Sequence, residues 1–314
     1  MRALVVTNMF PTPGRPAFGR FVADQVEALR RLPGLELGVH VLRDGHPAAY
    51  AKAAWELRQR FAGDRLDVVH AHFGLSAWPG LAVGARVHAV TLHGTDLSHP
   101  RSRVITLTSL RRLDLVAAVS SELASRVPGW ASRAPVRVLP CGVDLGRFRP
   151  IDRGQARAAL GLEPDRPYLL FPADPARPEK RHDLAAALAA RTGITLLALG
   201  EVPPERVPLY VNAANAVLVT SDREGFGLAV LEALACDVPV LATPHGIAPE
   251  VLDGVPGTLC APFALGAWEA ALRPHLEAED PRVPGRAVAE RYSADAMARR
   301  VADAWEEALR AARG

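Results

Sequence analysis

Short apolar runs alternate with amphipathic stretches along nearly the whole chain, and this rhythm predicts strand after helix after strand. Ala3 to Thr7 reads as a first strand, followed by a loop over Asn8–Phe18 rich in Pro and Gly. Gly19 opens a helix over Arg20–Leu32 with Phe21, Val22, Val26 and Leu29 on one face, and Pro33-Gly34 ends it. Further strands are expected at Leu35–Leu42, Asp67–His72, Val87–Leu92, Leu115–Val119 and Val136–Leu139. Helices are expected between them at Ala48–Phe61, Leu75–Gly84 and Arg101–Leu113, with Ser121 capping another short one.

The pattern pauses at Cys141–Pro150, which has turn and linker character, and then restarts. Strands at Tyr168–Phe171, Ile194–Leu199, Ala216–Thr220 and Pro239–Ala242 alternate with helices at Gln155–Leu160, Arg181–Arg191 and Leu228–Cys236. Two final helices, Leu265–Leu276 and Ala294–Ala312, follow. This is an α/β chain of two Rossmann-like domains, each a doubly wound parallel sheet, with functional loops at the carboxyl ends of strands. The expected division is 1–148 and 149–314, the last helix (294–312) being free to cross back to the first domain.

Composition removes several function classes. At 314 residues, 49% hydrophobic and 23% charged, the chain has the make-up of a soluble globular protein. A net charge of +3 suits anionic ligands, but no aromatic-basic motif accompanies it, so nucleic acid is not expected as a partner. Cys141, Cys236 and Cys260 are too few and too scattered for a disulfide framework or a zinc site. The apolar run after Met1-Arg2 is too short for a signal peptide, and no stretch has the length of a membrane span. A cytoplasmic protein is expected.

The loops carry the chemistry. Ser221-Asp222-Arg223-Glu224-Gly225-Phe226-Gly227-Leu228 lies between an apolar strand and a good helix former, the arrangement that aims N–H groups at an anion. Glu232 lies about 7–8 Å along that helix from Gly227, roughly the span of a sugar ring. Upstream, Arg177, Lys180 and Arg181 crowd a helix start, where acids are normally favoured; a bound phosphate would explain them. In the first half, Gly14 and Gly19 flank a loop where backbone can approach a ligand. His93 follows a strand directly and precedes Gly94, a position suited to meeting substrate. His70 and His72 share a strand face, but a third metal ligand at fixed spacing is missing, which favours packing or hydrogen bonding. His245-Gly246 and Glu250 follow another strand end as candidates for the rim. No aspartate pair or triplet marks a divalent-metal site, so no metal cofactor is expected.

Together these residues resemble the E-x7-E signature of retaining GT-B glycosyltransferases of family 4 (glycosyltransferase group 1), here Glu224-Gly225-Phe226-Gly227-Leu228 with Glu232-Ala233. Val207–Ala216, Ala235–Val240, Gly246–Val251, Gly142-Val143-Asp144 with Arg147-Phe148, and Phe10-Pro11 to Gly19-Phe21-Val22 are similar to the same family. The resemblance touches nearly the whole chain. It implies a GT-B fold with the active site in the interdomain cleft, the acceptor on the first domain and a nucleotide-sugar donor on the second. By position it implies that Arg177 and Lys180 or Arg181 bind the diphosphate, that Glu224 lies by the donor sugar and Glu232 by the ribose. It also implies that backbone at Gly225, Phe226, Gly227 and Leu228 meets phosphate and sugar, and that His93 is the active-site histidine. The chain departs from the pattern at Asp174-Pro175, where Gly-Arg is usual, at Asn215 for an aspartate, and at Asp237 for a glycine.

The expected activity is metal-independent, retaining transfer of a sugar from a nucleotide-diphosphate donor, with UDP- or GDP-sugars foremost, to a glycan, lipid-linked or small-molecule acceptor. The alternatives are a sugar-nucleotide epimerase on the same scaffold and a non-catalytic nucleotide-sugar-binding protein. Arg101, Arg103, Arg111 and Arg112 bracket Val104, Ile105, Leu107 and Leu110. That pattern fits either a basic amphipathic helix lying on the inner membrane face or an ordinary helix packing inward.

Overall fold

The computed structural model describes residues 1–42 and 46–313. It contains two parallel sheets. In the first, β1 (Arg2–Thr7), β2 (Glu36–Val41), β3 (Leu66–His72), β4 (Ala85–Leu92), β5 (Leu115–Ala118) and β6 (Arg137–Val138) lie in the order β2-β1-β3-β4-β5-β6. In the second, β7 (Tyr168–Phe171), β8 (Thr195–Ala198), β9 (Ala216–Val219), β10 (Val240–Ala242) and β11 (Leu259–Cys260) lie in the order β11-β10-β9-β7-β8. Every pairing is parallel. Central strands such as β7 and β9 are buried along their whole length, as helix-covered parallel strands must be, which explains their unbroken apolar sequences.

Each sheet reverses its strand order once. In the first the reversal lies between β1 and β3, in the second between β7 and β9. In open α/β sheets such switch points leave a crevice beyond the strands' carboxyl ends where ligands bind. The loop before Gly19 and His70-Ala71-His72 occupy that place in the first sheet; the basic loop and Ser221–Gly227 occupy it in the second.

The chain separates into two compact units, Met1–Gly142 with Ala294–Gly314, and Val143–Ser293. The helix Ala294–Ala311 contributes Met297, Ala298, Val301, Trp305 and Leu309 to a core with Ala3, Val68, Val87 and Leu115. Met297, Val301, Trp305 and Leu309 recur every four residues with Ala298 beside them, which places them on one stripe, and full burial of a side chain such as Val301 is worth about 1.5–3 kcal/mol. The second unit has its own core around Leu169, Phe171, Leu218, Leu241, Trp268 and Leu272.

Some elements differ from the expected ones. Instead of a helix over Leu75–Gly84 there is one 3-10 turn, Gly74–Ser76, and a single α turn, Ala77–Gly80, with Pro79 and Gly80 unsuited to extending it. The short helix Ser121–Ser125 is capped by Ser120, whose side chain accepts from the Leu123 N–H at 3.2 Å, and not by Ser121. Val207–Ala213 forms a helix with Pro208 in its first turn, a position that proline tolerates and that the apolar pattern alone did not reveal.

Candidate active site

In the second unit, the basic loop is fastened to the end of β9. The backbone carbonyls of Lys180 and Arg181 both accept from the Thr220 hydroxyl, at 3.1 and 2.9 Å, and the Asp222 N–H donates to the Glu179 carbonyl at 3.0 Å. Arg181 itself takes a left-handed conformation (φ 53°) as the helix His182–Thr192 begins. These bonds join the two strand ends at the switch point and bring Lys180 to Glu224.

The Lys180 ammonium lies 2.6 Å from Glu224 Oε1, which also accepts from the Ser221 hydroxyl at 2.7 Å. Both side chains are largely withdrawn from solvent, with 15% and 10% exposure. The other two cations of the loop are held elsewhere. Arg177 donates through Nε and Nη2 to Glu179, and Arg181 bonds Asp183 and Asp222. The structure therefore brings Lys180 and Glu224 together and leaves Arg177, which is exposed, on its own acidic neighbour.

The glycine turn is held from the far side. Gly246 has φ +63°, and a Cβ there would fall 2.3 Å from the Phe226 carbonyl oxygen and 2.9 Å from Glu224 Cβ. Only glycine lets the loop after β10 press this closely, and the Ile247 N–H then donates to the Phe226 carbonyl at 2.7 Å. Phe226 is buried, while Gly225, Gly227, Leu228 and Glu232 are half-buried along the turn and the helix Leu228–Ala235. That helix has no acid in its first turn and no side-chain cap, so nothing in its own sequence offsets its positive end. Glu250 accepts from the Tyr292 hydroxyl, which ties it to the unit's last turn.

The departures from the family pattern have physical accounts. Asp174 Oδ1 accepts from the Ala176 N–H at 2.8 Å and its carbonyl from the Arg177 N–H at 3.1 Å, so Asp174-Pro175 makes a tight turn at the start of the loop. Asp237 occupies a left-handed position (φ 56°) just past a helix end, where glycine is the usual residue, and its carboxylate accepts from the Arg286 N–H at 2.7 Å. Asn215 uses both ends of its amide. Its oxygen accepts from Arg157 at 2.8 Å and the Tyr168 N–H at 3.1 Å, and its nitrogen donates to the His275 carbonyl at 3.0 Å.

In the first unit, Gly19 caps the helix Arg20–Arg30 with φ +69°, and a Cβ there would fall 2.2 Å from the Met9 carbonyl carbon. The helix start is thus packed directly on the loop that leaves β1. The three strand-end histidines form a connected set. Trp305 Nε1 donates to His70 Nδ1 at 2.7 Å, and His70 Nε2 meets the Thr91 hydroxyl at 2.8 Å. The His70 and His72 rings stack at 5.0 Å between centroids, His72 Nδ1 lies 2.9 Å from His93 Nε2, and Phe21 packs on the His93 ring. Burial lowers the pKa of all three, His72 to about 3, and the neighbouring histidines add to this at His70 and His93. Burial thus favours the neutral form of each ring, and all three are hydrogen-bonded. Among the described residues no group of three His, Cys, Asp or Glu is placed to hold a metal ion.

Asp96 is the residue of this loop whose role spacing did not disclose. Fully buried, it accepts from the backbone N–H groups of Gly74 (2.5 Å), His93 (2.6 Å) and Gly94 (3.0 Å), clamping the loops after β3 and β4 to each other. His93 is thereby fixed by its backbone as well as by its ring.

Comparison with known proteins agrees with this architecture. Residues 173–286 match the description "Glycosyl transferases group 1", and residues 7–147 match "Glycosyltransferase Family 4". The chain is 32% identical over 285 residues to the D-inositol 3-phosphate glycosyltransferase of Actinosynnema mirum, across 73% of this chain and 68% of that protein. It is 31% identical to the protein of the same name from Segniliparus rotundus, across 90% of this chain and 69% of the relative. Among solved structures, sucrose-phosphate synthase from Thermosynechococcus elongatus has a TM-score of 0.75 at 19% identity, covering 99% of each chain. Anabaena HepE in complex with UDP-glucose has a TM-score of 0.72 at 17% identity, covering 98% of this chain and 100% of that one. The fold is GT-B, and the protein is a glycosyltransferase that uses a nucleotide-sugar donor. It belongs to glycosyltransferase family 4, group 1.

Proposed function

We propose that this enzyme binds the diphosphate of a UDP- or GDP-sugar at the second unit's switch point and transfers the sugar with retention at the anomeric carbon. The observation that carries this reading is the Lys180–Glu224–Ser221 cluster, a half-buried cation and acid gathered beside an uncapped helix start. As the glycosidic bond breaks, negative charge grows on the departing diphosphate. Lys180 and the N–H groups at the start of the helix Leu228–Ala235 stabilise it, with Arg177 or Arg181 as the second cation. Glu224 contacts the sugar and Glu232 the ribose. His93 meets substrate from the first unit, which takes the acceptor. Among the described residues no carboxylate nucleophile stands out on the acceptor side, which favours front-face displacement over a covalent glycosyl-enzyme.

UDP is favoured as the nucleotide because the structurally similar HepE was crystallised with UDP-glucose, and the relatives' name, D-inositol 3-phosphate glycosyltransferase, favours a small phosphorylated acceptor. A thermal-shift screen across UDP, GDP, ADP and their common sugars tests the donor. A ligand at 100 times its Kd should add roughly 2.7 kcal/mol to native stability, so UDP-glucose should raise the melting temperature. No shift with any of them would remove the reading. Conversion of donor alone into an epimer would favour the epimerase instead, and binding with neither transfer nor hydrolysis would favour a sensor.

A membrane contact has its own observation. On the helix Pro100–Leu110, Leu107 and Leu110 are buried, yet Val104 and Ile105 remain 65% and 42% exposed between Arg101, Arg103, Arg111 and Arg112. No described helix is long and apolar enough to cross a membrane, so such contact would be peripheral. The protein is expected to co-sediment with vesicles containing anionic lipid and to remain in solution with zwitterionic ones. Equal behaviour with both would leave Val104 and Ile105 as ordinary surface residues.

A further inference from the structure

We infer that Gln25 is a positioning residue that sets which ring nitrogen of His93 carries the proton, acting through His72. This rests on the reading of His93 as a residue that meets substrate. The relay begins at the buried Gln25 amide, whose Nε2 lies 3.2 Å from His72 Nε2. An amide NH2 only donates, so His72 Nε2 accepts. A neutral imidazole accepting through Nε2 carries its hydrogen on Nδ1, and His72 Nδ1 faces His93 Nε2 at 2.9 Å. His93 Nε2 therefore accepts in turn. Neutral His93 keeps its hydrogen on Nδ1, the ring nitrogen left over from the relay, and offers a donor there.

The relay works only while both rings are neutral and His72 cannot rotate. Burial supplies the first condition, since a buried imidazolium is disfavoured. The stack of His72 on His70 supplies the second, and His70 is itself locked. Trp305 has only a donor to give, so His70 Nδ1 accepts and His70 Nε2–H donates to the Thr91 hydroxyl. Gln25 lies on the helix that Gly19 opens, so one short helix carries both the close-packed start beside β1 and the group that orients His93. A donor at His93 Nδ1 selects an oxygen acceptor on the ligand, such as a sugar hydroxyl or ring oxygen, and disfavours a cationic group.

The test is nitrogen NMR of the full chain with 15N-labelled histidine, read without substrate. The wild-type protein should show His72 and His93 as Nδ1–H tautomers and His70 as the Nε2–H tautomer. In Gln25→Glu the carboxylate accepts where the amide donated. His72 then protonates at Nε2 and accepts at Nδ1, and His93 turns over to the Nε2–H form. With its donor replaced by an acceptor, kcat/KM should fall on the order of 10-fold, the scale of one reversed hydrogen bond. Gln25→Met removes the amide and keeps the bulk, and should leave His93 as a mixture of tautomers. An Nε2–H His93 in the wild-type protein, or a His93 that stays a single Nδ1–H tautomer in both Gln25→Glu and Gln25→Met, would overturn the inference. Failure of the underlying reading is separable: the tautomers would be as assigned, yet His93→Ala would leave kcat/KM unchanged.

Discussion

Lys180→Ala should lower kcat/KM for sugar transfer by roughly 10²–10³, the usual consequence of removing one preorganised group from a site of developing charge. The size of the effect follows from where Lys180 is. Its ammonium lies 2.6 Å from Glu224 Oε1 with both side chains mostly out of water, so its field is less screened than that of an exposed lysine. Arg177 and Arg181 are not ready substitutes, because Glu179 holds one while Asp183 and Asp222 hold the other. Lys180→Arg should recover part of the rate, limited by a guanidinium's different shape and reach. Since the alanine variant also strands Glu224, its melting temperature has to be followed alongside the rate. A folded Lys180→Ala enzyme with wild-type kcat/KM would remove Lys180 from the site.

The second large effect is on stability in mild acid. His72 titrates near 3 in the folded protein because of burial, and His70 also lies well below 6.5. In the unfolded chain both return to the ordinary histidine value of about 6.5. Below that pH the unfolded state binds more protons than the folded one, so stability falls as pH falls. For His72 the contribution is complete above about 6.5 and is lost from there down towards 3, at about 1.4 kcal/mol per pH unit, and His70 acts in the same direction. By pH 5 His72 alone should have cost roughly 2 kcal/mol, with His70 adding in the same direction, against the 5–15 kcal/mol of an ordinary domain. Urea midpoints between pH 7 and pH 5 measure this above the range where most carboxylates titrate. A midpoint that stays level over that interval would mean that these rings are not buried neutral.

Much of the fold was legible because parallel strands buried on both faces leave unbroken apolar runs. Tyr168–Phe171 was placed to the residue, and Ala216–Thr220 to within one. Errors arose where a run's length or its punctuation misled. Leu75 to Gly84 looked helical by composition, although Pro79 and Gly80 sit in its middle. The cap at Ser120 was displaced by one residue because two adjacent serines offer the same chemistry.

The candidate site divides along similar lines. Lys180 and Glu224 were each visible as oddities of local sequence, a base at a helix start and an acid before a glycine turn. Their pairing is a product of the sheet, which brings two strand ends together across 44 residues of sequence. Gln25, Asp96 and Trp305 were not visible as partners at all. Gln25 reaches His72 from 47 residues away and Trp305 reaches His70 from 235, distances at which spacing carries no signal. Asp96 carries no local signal either, since nothing in the neighbouring sequence reveals that its carboxylate clamps Gly74.

The bond from Trp305 to His70 also bears on the order in which the protein can be made. The first unit is discontinuous, beginning at Met1 and resuming at Ala294 after all of Val143–Ser293. During synthesis its sheet emerges first but lacks Met297, Val301, Trp305 and Leu309, which fill one side of its core. Domains generally fold as they leave the ribosome, N-terminal parts first. Here that order is inverted: the second unit is continuous and can finish on its own, while the earlier one waits with an apolar face uncovered until the last helix arrives. The unit that carries His93 is the first begun and the last completed.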